Sequence, residues 1–342
     1  MATDTTTRLE DDGADGGEQV PEARVGLRYT LSQVRRDPTA LAGLCIIAFM
    51  TAVAIVGTID GVLFDVLSEY SVFADVGIRQ YMLAETLWLN PANDPANARI
   101  LRPPVGLTNA LWPNEPGTWA HPLGTDHRGR DVLVRLFYGT RIAITVGVVS
   151  TGIAMLLGTL VGAVAGYYGG AVDDALMRAA ETLFAIPFLV LVIAFMTAFG
   201  QNLTFAMVGV GIATIPTFAR LIRSRVLSVR EEEYVDAARA AGVRDRYVIL
   251  RHVIPNSFAP VLVQATLQVG VNILIIAGLS FLGYGAQPPT PSWGQMLSAS
   301  RQYLLPAPWF SIWPGLAILV TVVGFNLIGD GLRDALDPRI NN

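Results

Sequence analysis

The sequence contains no lysine, so every basic residue apart from three histidines is an arginine. A P-loop needs a lysine at the β and γ phosphates, and a Schiff-base enzyme needs a lysine amine. Both activities are therefore excluded for this chain. No other catalytic constellation stands out, and no alternation of aromatic and basic residues indicates nucleic-acid binding. We expect a protein that is not an enzyme and that takes its energy from another chain.

Cysteine and charge are also scarce. The single cysteine, Cys45, lies in an apolar run, so neither an intrachain disulfide nor a thiol pair for a metal can form. Charged residues make up 15% of the 342 residues, hydrophobic residues 52%, and the mean hydropathy is +0.46. This apolar content exceeds what one soluble core needs. The composition predicts a protein that crosses the membrane several times.

Runs of about 20 apolar residues have the length that crosses a hydrocarbon core of about 30 Å. The sequence has six such runs, at 40–59, 142–167, 183–199, 203–221, 258–282 and 309–328. The third and fourth are separated by little more than Gly200-Gln201-Asn202, which predicts a tight helical hairpin. We therefore predict an all-α integral membrane protein with six transmembrane helices.

Arginine placement predicts the orientation. The arginine-rich loop after the fourth run is assigned to the cytoplasm by the positive-inside rule, and an even number of spans puts both termini there as well. Its arginines are Arg223, Arg225, Arg230, Arg239, Arg244, Arg246 and Arg251. The predicted organisation is an N-terminal tail at 1–36 that is acidic and disordered at its start, a first helix at 37–60, an extracytoplasmic segment at 61–140, a membrane core at 141–332 with the loop 222–257, and a cytoplasmic tail at 333–342.

The two outer segments differ in character. The first, 61–140, is rich in proline, asparagine and tryptophan and is either a spacer or a docking surface for an extracytoplasmic partner. The second, 283–308, is predicted to be a stiff turn anchored by aromatic residues.

Four residues near the second apolar run, His121, Asp126, His127 and Asp131, allow two interpretations. They offer ligand types for a metal site. The interpretation that we prefer is structural: glycines turn the chain, and aspartate pairs with arginine at the outer mouth of the second helix. We therefore predict no metal site.

The cytoplasmic loop contains a short predicted helix at 231–241. Acidic residues stand at its start, where the helix dipole favours them, and Gly242 is a natural C-cap. Ala237, Ala238 and Ala241 leave a smooth patch on which another backbone can approach closely. Such a helix is suited to insertion into a groove on a partner.

This loop resembles a known motif. Asp236-Ala237-Ala238, Gly242 and Pro255 stand at the spacing of the "EAA" coupling motif in the permease subunits of binding-protein-dependent ABC importers. The sequence departs from the motif by having Asp236 for glutamate and Val253-Ile254 before the proline. Aspartate keeps the charge on a shorter arm, so we expect docking to persist.

Two further stretches resemble signatures of the dipeptide, oligopeptide and nickel permease group, C-type subunit. One is His-Pro-Leu-Gly-Thr-Asp at 121–126 with Gly-Arg-Asp-Val-Leu at 129–133. The other is Leu-Ser-Phe-Leu-Gly at 279–283 with Gln-Pro-Pro-Thr-Pro-Ser-Trp-Gly at 287–294. The resemblance covers the chain from about residue 30 to its end.

The resemblance implies a type I ABC importer bundle with a cytoplasmic coupling helix. It implies a second homologous permease, two ABC ATPases inside and a substrate-binding protein outside, with ATP and Mg used by the ATPases and no cofactor bound by this chain. It also implies that the bundle changes its access when the ATPases close. The residues assigned to coupling are Asp236, Ala237, Ala238, Ala241, Gly242 and Pro255. A short peptide is the expected substrate, and nickel complexes and small oligosaccharides stay open.

Polar and small residues inside the apolar runs form two further patterns. Gln264, Gln268 and Asn272 recur every four residues on one helix face, either as interhelical hydrogen-bonding groups or as the lining of a translocation path. Glycines in the second helix predict close packing against a neighbour. They are Gly147, Gly152, Gly158, Gly162 and Gly166.

A competing hypothesis is a self-sufficient channel or an ion-driven carrier, and a third is a membrane scaffold. A carrier is expected to hold charges near the membrane midplane. This chain has amides there and keeps Asp173, Asp174, Arg178 and Glu181 in a predicted short inner turn.

Overall fold

The computed structural model describes residues 37–69, 100–288 and 290–336. The acidic start, for which we predicted disorder, lies outside these residues. So do positions 70–99 of the first outer segment, Pro289 and the last six residues, 337–342.

Most of the described residues are helical, and residues 100–131 form an irregular segment. The backbone bridges of this segment are isolated rather than joined into strands. The helices are α1 (Pro38–Glu69), α2 (Val132–Tyr168), α3 (Gly170–Ala185), α4 (Phe188–Phe199), α5 (Leu203–Val229), α6 (Glu233–Ala240), α7 (Asp245–Val248), α8 (Ile254–Ser257), α9 (Ala259–Phe281), α10 (Trp293–Ser300) and α11 (Trp309–Leu336). A π-helical turn, Ile249–Val253, joins α7 to α8, and a 3₁₀ turn, Arg301–Tyr303, follows α10.

Five helices in the described ranges are long and apolar enough to cross a membrane: α1, over Pro38–Asp60, and α2, α5, α9 and α11. The pair α3 and α4 makes a sixth span if it is counted as one bent unit. The predicted all-α membrane fold is confirmed.

The third predicted helix, 183–199, is wrong as a continuous segment. α3 ends at Ala185, Ile186 is extended with φ −80° and ψ 130°, and α4 begins at Phe188 with a bend of 91° between the two helices. The cause is Pro187, because a proline ring disfavours the helical conformation of the residue before it. The turn Gly200-Gln201-Asn202 does join α4 to α5, and the Asn202 side chain accepts a hydrogen bond from the N–H of Phe205.

Two predicted turns are helical. Asp173, Asp174, Arg178 and Glu181 lie in α3 rather than in a short turn, because a new helix of 16 residues begins after Gly169. The second outer segment contains α10, whose first turn is capped by Ser292: its hydroxyl accepts a hydrogen bond from the N–H of Gln295 at 3.2 Å. The prediction of a stiff turn anchored by aromatic residues is therefore wrong for the part of this segment that forms α10.

The second helix begins ten residues earlier than the apolar run at 142. α2 has 37 residues, a length of about 55 Å, and so exceeds the hydrocarbon core. Its first turn lies beside α10, since Trp293 Nε1 donates to the carbonyl of Leu136 at 3.0 Å. Its last turn contacts Arg239 of α6 through Tyr167. We call these two ends of the bundle the α10 end and the α6 end.

The glycines of α2 lie mainly at helix interfaces. A Cβ at Gly158, Gly162 or Gly166 would lie within 3.0 Å of atoms of α5, and one at Gly147 within 3.0 Å of side chains of α9. The predicted interface is confirmed at these four positions. Gly152 has no heavy atom within 4 Å of such a Cβ, so the prediction is wrong there, because that side of α2 faces open space.

We expect Gly162→Ala to lower the melting temperature of the purified protein in detergent by a few degrees. The added Cβ would lie 2.1 Å from the carbonyl oxygen of Ala219, and overpacking of this kind costs about 1–3 kcal/mol. Gly152→Ala is the matched control, because it adds the same methyl group to the same helix in open space. Equal melting temperatures for the two variants would contradict the close contact between α2 and α5.

Candidate functional site

The loop between α5 and α9 contains the predicted coupling residues, and α6 is its central element. Glu233 and Asp236 occupy the first turn of α6 and Arg239 the last, as the helix dipole favours. The helix predicted at 231–241 is found two residues shorter at its start and one shorter at its end.

Gly242 ends α6 through its backbone conformation. Its φ is +76°, its N–H donates to the carbonyl of Arg239 at 2.9 Å, and the N–H of Val243 donates to Ala238 at 3.1 Å. This pair of hydrogen bonds is the Schellman arrangement. A Cβ at Gly242 would meet nothing within 4 Å, so glycine is needed here for the left-handed conformation and not for space.

The two faces of α6 differ. Val235 is fully buried, and Ala238 packs against the same cluster of buried side chains. Asp236, Ala237 and Ala241 are exposed. Pro255 is exposed as well, in α8. The motif alanines therefore have different surroundings. Ala238 packs α6 against the bundle, whereas Ala237 and Ala241 lie on its exposed face, where their small side chains project little.

A buried apolar cluster, which we call the loop cluster, holds α6 to the bundle. Its members from the loop are Val235, Val248, Ile249 and Val253. They pack with Tyr167 of α2, with Phe218, Ile222, Val226 and Val229 of α5, and with Val261 of α9. A displacement of α6 is thus resisted by three membrane-spanning helices at once.

Polar contacts tie the same loop to the last turn of α2. The Tyr167 hydroxyl donates to Asp245 Oδ1 at 2.9 Å and accepts from Arg239 Nε at 3.3 Å. The Arg239 guanidinium also lies 4.9 Å from the centre of the Tyr167 ring and 3.3 Å from Asp236. The hydrogen bond to Tyr167, reinforced by the charge of Asp236, raises the pKa of Arg239, which stays a cation. We call Tyr167, Arg239 and Asp245 the tether.

Sequence reasoning missed the tether. Tyr167 stood at the end of an apolar run, and no motif spacing links it to Asp245. The one available signal was Arg239, three residues after Asp236 on the same helix, which is the spacing of an ion pair.

Other loop arginines also have definite partners. Arg223 of α5 forms two hydrogen bonds of 2.5 Å with the carboxylate of Asp173 in α3. Arg230 Nη1 donates to the carbonyl of Gly166 at the end of α2, at 3.0 Å. The arginine cluster therefore joins α2, α3 and α5 at the α6 end.

Two of the three amides on α9 form hydrogen bonds. Gln268 Nε2 donates to Asn272 Oδ1, and Asn272 Nδ2 donates to Thr151 Oγ1 of α2, both at 3.0 Å. Asn272 is fully buried. The contact between Asn272 and Thr151 joins α9 to α2, whereas the contact between Gln268 and Asn272 lies within α9. Gln264, two turns before Asn272, is half-buried. The lining of a translocation path by these three amides stays a prediction.

The predicted pairing of aspartate with arginine near the start of α2 is confirmed. Asp126 and Arg130 form an ion pair at 2.7 Å, while Asp131 pairs with His121 at 2.8 Å. His127 stacks instead on Tyr303, with ring centres 5.7 Å apart. Within the described ranges there is no group of three or more histidine, cysteine, aspartate or glutamate side chains that could hold a metal ion.

Comparison with known proteins identifies a matching family and similar proteins. Residues 158–342 match the family described as "binding-protein-dependent transport system inner membrane component". The chain is 46% identical over 222 residues to the dipeptide transport system permease protein DppC of Alkalihalophilus pseudofirmus, covering 65% of this chain and 73% of that protein. It is 43% identical over 229 residues to the glutathione transport system permease protein GsiD of Pectobacterium atrosepticum, covering 67% and 76%.

The fold is similar to that of a chain of the MetNI methionine ABC transporter solved in inward-facing conformations. The TM-score is 0.50 at 16% sequence identity, covering 60% of this chain and 97% of that one. This likeness concerns the fold alone.

We expect Tyr167→Phe to loosen the loop. The variant keeps the ring in the loop cluster but loses both hydrogen bonds of the hydroxyl, each worth about 0.5–1.5 kcal/mol. Hydrogen exchange of the backbone amides in α6 and the following turn should accelerate by about two- to tenfold. Tyr168→Phe is the matched control, because Tyr168 is the exposed neighbour. Equal exchange in the two variants would show that the tether does not hold the loop.

Proposed function

Because the chain belongs to the family of binding-protein-dependent transport system inner membrane components, we propose that it is a membrane-spanning subunit of an ATP-driven ABC importer for short peptides. Two relatives support the choice of cargo, since one is named for dipeptides and the other for glutathione, which is itself a short peptide. Nickel complexes and small oligosaccharides have no such support from these two names.

The observation that carries the proposal is that α6 has one exposed face and one face buried against the bundle. Its exposed face offers Asp236, Ala237 and Ala241 to a partner, while Val235 anchors the opposite face in the loop cluster. An ATPase that docks on the exposed face can approach closely because alanine side chains are small. Its movement on binding ATP then passes through Val235 and the tether to α2, α5 and α9. In this mechanism α6 transmits a displacement, and ATP and Mg are bound by the partner.

The proposed assembly contains a second homologous permease, two ABC ATPases on the α6 side and a substrate-binding protein on the α10 side. The N- and C-termini then face the cytoplasm, as the arginine distribution predicts. The lipid bilayer surrounds the apolar side chains that the helices expose outward, among them Phe49 of α1, Leu274 of α9 and Leu319 of α11. Opening of the bundle alternates between the two sides as the ATPases close and separate.

We expect Ala237→Leu to weaken coupling about tenfold or more while α6 stays intact. Leucine is nearly as good a helix former as alanine, but its side chain obstructs the face that the partner must approach. A loss of about 1.4 kcal/mol of docking free energy lowers complex formation about tenfold. Peptide uptake and peptide-stimulated ATP hydrolysis in proteoliposomes should fall by about this factor or more. Ala175→Leu on the exposed side of α3 is the control. Equal uptake by both variants would contradict the role of Ala237 in docking.

Replacement of Gly242 tests the shape of the end of α6. Gly242→Val forces a β-branched residue into the left-handed conformation, whereas Gly242→Asn tolerates it. We expect the valine variant to insert normally and to lose uptake, and the asparagine variant to keep most of it. Unaltered uptake in the valine variant would count against coupling through this loop and would favour the channel hypothesis.

A further inference from the structure

A cavity at the α10 end has no part in the coupling mechanism. It has a volume of about 230 Å³ and opens between the start of α2, the end of α9 and α10. Three arginines line it, Arg128, Arg130 and Arg135. Other parts of the wall are apolar, with Met296 and Phe310 among them. We call this cavity the arginine pocket.

Arg135 is the unusual residue of the arginine pocket, because it is only 2% exposed and incompletely paired. Its Nη2 donates to Gln295 Oε1 at 3.3 Å. Its Nε and Nη1 are buried and have no hydrogen-bond acceptor anywhere in the described part of the chain. A buried charged group with open donors costs several kcal/mol unless something accepts its hydrogen bonds. The N–H groups of these two nitrogens therefore call for an acceptor that the described residues do not supply.

The nearby carboxylate does not fill this need. Asp126 Oδ2 accepts from Arg130 Nε at 2.7 Å, and Asp126 Oδ1 accepts from the backbone N–H groups of Arg128 and Arg130. Arg135 Nε lies 3.7 Å from this carboxylate, beyond hydrogen-bond distance. Two of the three arginine side chains, those of Arg130 and Arg135, lie beside this one carboxylate. Since no aspartate or glutamate is among the described residues that line the pocket, the pocket keeps an excess of positive charge.

The imidazole in the pocket wall adds no charge to this excess at neutral pH. Burial lowers the pKa of His127, and the flanking arginines lower it further against the opposing effect of Asp126. His127 therefore contributes a neutral ring, stacked on Tyr303 and on Phe310. The charge of the pocket comes from its guanidinium groups.

We propose that the arginine pocket binds the terminal carboxylate of a peptide substrate on its way into the bundle. Guanidinium groups match carboxylates through paired N–H···O hydrogen bonds, and such charge-assisted bonds are strongest in buried surroundings. The apolar wall at Met296 and Phe310 suits the neighbouring side chain of the peptide. The volume is below the roughly 300 Å³ at which sites for drug-sized ligands begin, so the pocket takes one end of a peptide. This inference rests on the proposed function and deepens it.

The test measures binding to the assembled transporter without ATP and without the binding protein. The probes are the dipeptide alanyl-phenylalanine and the same dipeptide with a C-terminal amide, titrated by calorimetry. We expect the free acid to bind and the amide to bind at least about tenfold more weakly, since one charge-assisted pair of hydrogen bonds is lost. Arg135→Gln should remove this preference for the acid.

Arg128→Gln keeps the test valid if Arg135→Gln does not fold. Arg128 lines the pocket but is exposed, so its replacement leaves the core intact. Arg301→Gln is the matched control: it removes the same charge from an exposed arginine beside α10, and Arg301 does not line the pocket. We expect Arg128→Gln to weaken binding of the free acid and Arg301→Gln to leave it unchanged.

Three results would overturn the inference. One is equal binding of the acid and the amide, and another is equal behaviour of Arg128→Gln and Arg301→Gln. The third is absence of dipeptide binding together with weaker docking of the peptide-free binding protein to the arginine variants, which would make the pocket a contact for that partner. ATP-driven peptide uptake by the wild-type complex is measured in parallel. Uptake without carboxylate-dependent binding refutes only the pocket, whereas absence of peptide uptake refutes the proposed function.

Discussion

The close contact between α2 and α5 is the constraint on which the rest of the molecule depends. In lipid, helices gain little from burying apolar side chains against each other, so association relies on close packing and hydrogen bonds. Gly158, Gly162 and Gly166 allow the backbones of α2 and α5 to approach closely, and Gly147 leaves room for side chains of α9 against α2. α2 has 37 residues and carries Arg135 of the arginine pocket near its start and Tyr167 of the tether near its end. Fixing α2 against its neighbours therefore fixes the positions of both residues.

The two ends of the bundle use arginine differently. At the α6 end, Arg223, Arg230 and Arg239 each have a partner within 3.3 Å, and they join helices to one another. At the α10 end, Arg130 and Arg135 lie beside one carboxylate, that of Asp126, and two nitrogens of Arg135 have no acceptor among the described residues. Paired cations hold structure together, whereas a buried cation with free donors is available to bind an anion. The same residue type thus serves transmission on one side and proposed recognition on the other.

Sequence reasoning located most of the helices and failed where tertiary partners decide. The runs behind α1, α5, α9 and α11 were found because the length of an apolar segment is read directly. The start of α2 was missed because Arg135 and Tyr138 interrupt the apolar pattern. In the structure Gln295 accepts one hydrogen bond from Arg135, and Asp60 accepts one from Tyr138. The third predicted helix included Pro187. This proline holds Ile186 in an extended conformation, and that local constraint breaks the helix although the apolar pattern continues.

The sequence by itself determined the membrane class, the importer resemblance and the position of α6 with Gly242 at its end. These depend on composition, on spacing and on the conformation of single residues, all of which are local properties. Only the tertiary structure decided which polar groups meet. Asn272 finds Thr151 121 residues away, and Arg135 finds Gln295 160 residues away. Which donors are satisfied and which stay open, as in the arginine pocket, is settled by packing, because burial removes the water that would otherwise accept their hydrogen bonds.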